Sequence, residues 1–173
     1  IDHTSIDPRL GNWEDLKELS NETDIMADLI VNHISAESMQ FKDYLEKGSS
    51  SEYASMILTY DNVFGESSGE EMISEIYRPR PGKPFTKFKF KDGSEQLICN
   101  TVTSNQIDID VKSKKGEEYI TGILLSFQKA GVKLIRLDAV GYAVKIKGTS
   151  CFMIDETFEY IDELTSKARS MGM

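Results

Sequence analysis

The 173-residue chain has little of several things that mark particular classes of protein. Its only two cysteines, Cys99 and Cys151, lie far apart, which argues against a disulfide framework and favours free thiols in a cytoplasmic protein. The 20 lysines and arginines are outnumbered by 29 aspartates and glutamates. The net charge of −9 argues against nucleic acid as a partner, because phosphates require a basic face. No apolar run reaches the roughly 18 residues that a membrane-spanning helix needs.

What is present is an alternation of helical and strand patterns, which indicates an α/β fold. The first helix is expected to begin after Asn12, a good capping residue that is followed by two acids. The segment 25–31 is a nearly continuous apolar run, broken only by Asp28, which is typical of a strand that is covered on both faces. The predicted strands are 25–31 and 133–138, and the later predicted helices are 37–47, 114–130 and 155–170.

The stretch from residue 52 to about residue 105 is different in character and predicts an irregular insertion between the regular units. Its pattern predicts a short acidic helix over 70–76 and a proline-rich loop over 77–84. Two short strands, 85–90 and 96–99, flank Lys91-Asp92-Gly93-Ser94. Asp-Gly between alternating apolar residues is a strong hairpin signal.

Polar groups follow the two predicted strands at their carboxyl ends, in Asp28-Leu29-Ile30-Val31-Asn32-His33 and in Arg136-Leu137-Asp138-Ala139-Val140-Gly141-Tyr142. Parallel α/β barrels place their chemistry at this end of the strands. An Asp beside an Arg stays ionised and can act as a nucleophile. From the residues alone, a turn cap is the favoured interpretation of Asp138, and Arg136 suits a structural ion pair as well as a role beside Asp138. His33 stays undecided between a packed structural histidine and a site residue.

Two further segments hold candidate site residues. Gln106 precedes Asp108 and Asp110, whose i, i+2 spacing on a short strand favours structural hydrogen bonds over a catalytic pair. The second segment, Tyr77-Arg78-Pro79-Arg80-Pro81-Gly82, is called the acceptor loop below. Arginine offers a planar fork of donors that suits phosphate. A rigid surface turn with two solvated arginines explains the same residues.

Several of these segments resemble one family. The runs that begin at Asp28 and Arg136 resemble the first two signature regions of the α-amylase-type glycoside hydrolases. Within that superfamily the chain resembles the sucrose phosphorylases, through the acceptor loop, Ile1-Asp2-His3-Thr4, Asp7-Pro8-Arg9-Leu10-Gly11, Gln106-Ile107-Asp108-Ile109-Asp110 and Gly148-Thr149-Ser150-Cys151-Phe152.

The resemblance implies part of a (β/α)8 TIM barrel with a small subdomain inserted after the third strand. A complete barrel needs about 200 to 250 residues, so we expect an internal piece of a longer enzyme. The expected divisions are a barrel segment over 1–33 with a helix and the third strand, and the inserted subdomain over 34–112. A second barrel segment over 113–173 would hold a helix, the fourth strand with the nucleophile, and a helix.

The same resemblance implies retaining glucosyl transfer, the reversible phosphorolysis of sucrose to α-glucose 1-phosphate and fructose. Asp138 would be the nucleophile that forms a β-glucosyl intermediate. No metal or organic cofactor is implied, and inorganic phosphate is a co-substrate. A homodimer is compatible with the family. The implied substrate-binding residues are His33, Arg136, Leu137, Gln106, Tyr77, Arg80 and Tyr142.

Other functions stay open. A related phosphorylase would act on phosphorylated sucrose or on a glucosylglycerate. A hydrolase or transglucosidase would use the same nucleophile without phosphate. An inactive carbohydrate-binding fragment would keep the sugar contacts without catalysis, because the family's general acid and its transition-state-stabilising Asp come from later strands.

Overall fold

The structure is a computed structural model that describes residues 2–65 and 73–173. Its regular frame is a parallel pair of strands, β1 (Met26–Ile30) and β6 (Leu134–Asp138), with Met26 opposite Leu134 and Ile30 opposite Asp138. Helix α1 (Trp13–Leu19) precedes β1, α4 (Lys114–Lys129) precedes β6, and α5 (Asp155–Ser170) follows it. This order confirms the predicted α/β fold class.

The predicted starts of α1 and α4 hold, and a capping side chain marks each of them. The Asn12 side chain accepts from the backbone N–H groups of Glu14 and Asp15, and Asp15 returns a bond to Asn12, which completes a capping box. Ser113 caps α4 through the N–H of Gly116. Helix α2 (Met39–Lys47) begins after Ser38, two residues later than expected, because the Ser38 hydroxyl accepts from Phe41 N–H.

Between β1 and α4 the chain makes the irregular excursion that its composition predicts. The hairpin of β3 (Phe85–Lys89) and β4 (Glu95–Cys99) agrees with the prediction to within one residue, and Gly93 takes φ 89° in its turn. Among the described strands and α-helices, β2 (His33–Ser35) and α3 (Tyr60–Phe64) were not predicted. Strand β5 (Gln106–Asp108) lies where a short strand was expected, but its antiparallel pairing with β2 was not predicted. Of the acidic helix predicted for residues 70–76, residues 70–72 lie outside the described residues, 73–74 are helical and 75–76 form a turn.

The hydrophobic core joins this excursion to the regular frame. Aliphatic side chains from β1, β2 and β5 meet the inner face of α4, where Ile120, Ile123 and Leu124 are buried. The ring of Phe41 meets Phe88 edge to face at 5.0 Å, which fixes α2 on the hairpin. Among the fully buried side chains are Leu29, Val31, Ile34, Phe41, Met56, Ile57, Ile98, Ile107, Ile109 and Leu124.

The expectation that the strand over 25–31 is covered on both faces was wrong for the described residues. Met26, at the start of β1, is 62% exposed, and Leu134, at the start of β6, is 54% exposed. Among residues 2–65 and 73–173, β1 and β6 pair only with each other, so each keeps one free edge. No described helix is long and apolar enough to cross a membrane.

Candidate active site

Asp138 ends β6 and shares the carboxyl end of the parallel pair with Arg136 and Asp28. Arg136 donates to both carboxylate oxygens of Asp28, from Nε at 2.5 Å and from Nη2 at 2.6 Å. Its Nη2 also lies 3.7 Å from Asp138 Oδ1. The two roles weighed for Arg136, a structural ion pair and a neighbour for the nucleophile, are therefore both present.

The environment of Asp138 is more open than its sequence suggests. Its side chain is 42% exposed, where a buried Asp was expected. The hydrogen bonds from Arg136 lower the pKa of Asp28, and those bonds raise the pKa of Arg136 itself. Asp28 is therefore fixed in its anionic form, whereas Asp138 keeps its carboxylate accessible. An accessible carboxylate at a strand end is what a carboxylate nucleophile requires.

His33 and Gln106 face each other across the β2–β5 pair. The His33 Nε2 and Gln106 Nε2 atoms are 2.7 Å apart, and the Gln106 side-chain oxygen accepts from Thr103 Oγ1 at 2.8 Å. His33 is only 5% exposed. Burial lowers the pKa of His33, although Asp108 opposes the shift, so the imidazole is neutral at pH 7. The two residues assigned to one sugar site are thus brought together.

A fully buried polar cluster lies behind His33. Asp108 Oδ1 accepts from Asn32 Nδ2 at 3.0 Å, and Asp108 Oδ2 accepts from Thr101 N–H at 3.0 Å. These contacts confirm the expected structural role of Asp108. The Lys145 ammonium lies 3.3 Å from Asp108 Oδ2, and it donates to Asn32 Oδ1 and to the Tyr142 carbonyl oxygen.

Sequence reasoning missed Lys145, which joins the turn after Asp138 to the bend before His33. Its side chain is 5% exposed and is paired with Asp108, which has no exposed surface. The signal was available, since Lys145 is a single charge between apolar residues in Ala143-Val144-Lys145-Ile146. A charge in such a run calls for a buried partner.

The acceptor loop is anchored on both sides and open in the middle. Arg78 Nε donates to Thr101 O at 3.0 Å, and Asn100 N–H donates to Pro84 O at 2.9 Å. Between these anchors, Arg80 is exposed and makes no hydrogen bond or ion pair with any described residue. An open cavity of about 530 Å³ brings together the basic residues Arg78, Arg80 and Lys83, with no acidic residue in its described lining.

Three aromatic rings lie between the acceptor loop and the turn after β6. Tyr77 and Tyr142 are nearly parallel at 8° with their ring centroids 6.3 Å apart. Phe152 lies closer to each of them, at 4.5 Å from Tyr77 and 4.7 Å from Tyr142. Burial raises the pKa of Tyr142, and Tyr77 adds to the shift, so this phenol is neutral. Phe152 was not singled out beforehand, although its motif was.

Leu137 is placed differently from the other predicted site residues. It lies between Arg136 and Asp138 on β6, so its side chain leaves the opposite face of the strand. It packs against the hydrophobic core. A role for Leu137 in substrate binding stays a prediction. Among the described residues no group of three His, Cys, Asp or Glu side chains is arranged to hold a metal ion.

Comparison with known proteins agrees with this geometry. Residues 1–169 match the family described as alpha amylase, catalytic domain. The chain is 49% identical over 172 residues to a sucrose phosphorylase of Agrobacterium vitis, covering 99% of this chain and 35% of that protein. It is also 49% identical over 173 residues to a sucrose phosphorylase of Bifidobacterium adolescentis, covering 100% of this chain and 34% of that protein.

A solved structure is similar throughout the chain. The sucrose 6F-phosphate phosphorylase from Thermoanaerobacter thermosaccharolyticum superposes with a TM-score of 0.93 at 37% identity, and the match covers 100% of this chain and 36% of that one. The chain therefore spans about a third of the length of the relatives it matches. The superposition includes the strands, the excursion and the acceptor loop.

Proposed function

The chain belongs to the alpha-amylase catalytic-domain family, with part of a (β/α)8 barrel as its fold, and from that premise we propose that its full protein is a sucrose phosphorylase. The reaction is the reversible phosphorolysis of sucrose to α-glucose 1-phosphate and fructose. Two relatives that carry this name are each 49% identical to the chain, which supports the proposal. The observation that carries it is the accessible Asp138 carboxylate beside an Arg136 that is already anchored.

In the proposed first step, the Asp138 carboxylate attacks the anomeric carbon of the glucosyl unit. The bond from that carbon to the fructosyl oxygen breaks, and the oxygen takes a proton from a general acid as fructose leaves. Asp28 is unsuited to be that acid, because Arg136 holds it in the anionic form. The resemblance to the family, whose general acid comes from a later strand, assigns this acid to a part of the protein outside the described residues.

In the second step, a phosphate oxygen attacks the same carbon and releases Asp138, so the product keeps the α configuration. We assign recognition of the phosphate to Arg80, because an exposed guanidinium with no partner among residues 2–65 and 73–173 is free to bind an anion. His33 and Gln106 are assigned to hydroxyl groups of the glucosyl ring. Tyr77 and Tyr142 are assigned to the acceptor side.

The test is product analysis with the full natural protein. With sucrose and phosphate, we expect equal amounts of fructose and α-glucose 1-phosphate. Free glucose that forms at the same rate with or without phosphate would instead indicate a hydrolase. Transfer to a second sugar would indicate a transglucosidase, and binding without turnover would indicate a non-catalytic carbohydrate-binding protein.

A second candidate, a phosphorylase for phosphorylated sucrose, is supported by the three basic residues around the loop cavity. A relative named sucrose 6(F)-phosphate phosphorylase is 37% identical to the chain over 179 residues. The same assay with sucrose and with its fructose-phosphorylated form decides between the two. A much lower KM for the phosphorylated substrate would favour the second candidate. A much lower KM for a glucosylglycerate would instead indicate a glucosylglycerate phosphorylase.

The remaining proposals concern the setting of the enzyme. The two unpaired cysteines, both buried, support a cytoplasmic location. No metal or organic cofactor enters the proposed steps, and neither nucleic acid nor a membrane is a proposed partner. A homodimer is the proposed assembly, which light scattering of the full protein would test.

A further inference from the structure

The position of Phe152 has a consequence for the acceptor side of the proposed reaction. We propose that Phe152 is a positioning residue, whose ring holds Tyr77 and Tyr142 together and so fixes the acceptor loop against the turn that follows the nucleophile. The inference rests on the proposed function, because it concerns how that site recognises its second substrate.

The first step of the argument is ring geometry. The Phe152 centroid is 4.5 Å from Tyr77 and 4.7 Å from Tyr142, whereas the two tyrosines are 6.3 Å apart. Centroid separations of this size are typical of attractive aromatic pairs. Since Phe152 is nearer to each tyrosine than they are to each other, the two tyrosines are coupled mainly through its ring.

The second step is the backbone on either side of Phe152. Tyr77 N–H donates to Ser150 O at 2.8 Å, which ties the acceptor loop to the segment before Phe152. Met153 N–H donates to Gly141 O at 2.9 Å, which ties the segment after Phe152 to the turn over Val140–Tyr142. The same short segment therefore bonds to the loop on one side and to the nucleophile's turn on the other.

The third step is the close approach at Gly141. A Cβ built at this position would lie 2.8 Å from Phe152 Cε2 and 3.0 Å from Met153 Sδ. Such contacts are shorter than real Cβ atoms make, so the Phe152 ring fits only because residue 141 has no side chain. The Phe152 ring thus packs against Gly141 in the turn after β6 and against Tyr77 in the acceptor loop.

The fourth step is the conformation that presents the ring. Cys151 and Met153, on either side of Phe152, have φ values of 52° and 51°. Non-glycine residues adopt this left-handed region only where the surroundings enforce it. Local hydrogen bonds do so here: Cys151 N–H donates to Thr149 Oγ1 at 3.1 Å, and Ser150 Oγ donates to Phe152 O at 3.1 Å. The segment is shaped to aim one ring between two tyrosines.

The test uses the full natural protein and four variants. Phe152→Leu removes the ring and keeps apolar bulk, and Phe152→Tyr keeps the ring. Gly141→Ala displaces the ring without changing it. Phe158→Leu is the matched control, because Phe158 is 51% exposed on α5 and away from the stack.

The two halves of the reaction are measured separately. Formation of the glucosyl enzyme is followed with α-glucosyl fluoride, whose leaving group needs no acceptor loop, and the second half is followed by phosphate titration. We expect Phe152→Leu and Gly141→Ala to raise the phosphate KM at least about fivefold and to increase the share of free glucose, with less than about a twofold change in the first half. Phe152→Tyr should behave as wild type, as should Phe158→Leu.

A third readout does not depend on turnover. The Tyr77 amide is bonded to Ser150 O, so its hydrogen exchange should become at least about fivefold faster in Phe152→Leu and stay unchanged in Phe158→Leu. Unchanged exchange, an unchanged phosphate KM, or an equal loss in both halves of the reaction would each overturn the proposal. If wild type makes no glucose 1-phosphate, the proposed function fails, while the exchange comparison still decides the role of Phe152.

Discussion

Arg136 donates to both carboxylate oxygens of Asp28 across the parallel strand pair, and its Nη2 lies 3.7 Å from Asp138 Oδ1. Asp28 and Arg136 are opposite each other in the strand register, so this bidentate ion pair is positioned by backbone pairing and not by a loop. The guanidinium is therefore held beside the Asp138 carboxylate by the strand pairing itself.

The first prediction concerns the bidentate ion pair between Arg136 and Asp28. Arg136→Lys keeps the charge but loses the planar fork, so it should lower kcat about 10-fold or more through a misplaced nucleophile. Arg9→Lys is the matched control, since Arg9 forms a similar two-oxygen contact with Asp7 on the surface. Steady-state kinetics of both variants check this, and equal effects of the two changes would contradict it.

The second prediction concerns Asp138 itself. Asp138→Asn keeps the shape of the side chain but removes the anion that attacks, so turnover should fall at least about 1,000-fold with sucrose binding largely retained. Wild-type protein treated with a slow fluoro-sugar donor should carry the sugar on the peptide that contains Asp138. Mass spectrometry that finds the label on another residue would refute the assignment.

The third prediction concerns Arg80. Arg80→Ala should raise the phosphate KM at least about fivefold and increase hydrolysis, because water needs no cationic clamp. Arg80→Lys should restore phosphate use only in part, since a point charge lacks the fork. Lys91→Ala is the control, as Lys91 is paired with Glu46 at the hairpin turn. Unchanged product ratios across a phosphate titration would show that the loop is only structural.

The fourth prediction concerns the buried Lys145. Lys145→Met leaves the Asp108 carboxylate buried without its counter-charge, which should cost about 3–5 kcal/mol of stability. Lys112→Met is the comparison, because Lys112 pairs with Glu163 at 3.1 Å in an exposed position, where little change is expected. Urea unfolding of both variants gives the measurement, and similar midpoints would show that the buried pair is not needed.

The fifth prediction is a pH dependence of stability. Burial lowers the pKa of His33 and of His3 below the 6.5 of an exposed histidine, so the unfolded chain binds more protons than the folded one as the pH falls through that value. The contribution of the two neutral histidines to the free energy of unfolding is therefore fully present above pH 6.5 and declines as the pH falls below that value. His33→Asn should flatten the decline between pH 7 and pH 5.5 in urea unfolding, and an unchanged slope would contradict it.

Local patterns predicted the elements whose signals are local. The periodicity over 155–170 predicted both ends of α5 correctly, and Asp92-Gly93 predicted the β3–β4 hairpin. The alternation in Ile107-Asp108-Ile109-Asp110 indicated a short strand at β5, but its pairing with β2 was missed because the partner is about 70 residues away. The three residues of β2 carry no periodicity of their own, so only the tertiary pairing defines that strand.

The residues of the candidate site also fall into those with a local signal and those without one. Asp138, Arg136 and His33 could be singled out as candidates because they lie in recognisable segments at or near strand ends. Lys145 and Phe152 were missed because their meaning depends on groups from separate parts of the chain. Lys145 meets Asn32, Asp108 and Tyr142. Phe152 meets rings that follow two different elements, and no single window of sequence contains that relation.

We expect the prolines of the acceptor loop to protect it from trypsin-like proteases. Both arginines of the loop are followed by proline, in Arg78-Pro79 and Arg80-Pro81, and the adjacent Lys83 is followed by Pro84. Trypsin-like enzymes cut poorly before proline, and each pre-proline residue is confined to extended backbone. The exposed Arg80 thus lies in a segment that a protease of this class passes over, so the loop can stay open to solvent without becoming a point of cleavage.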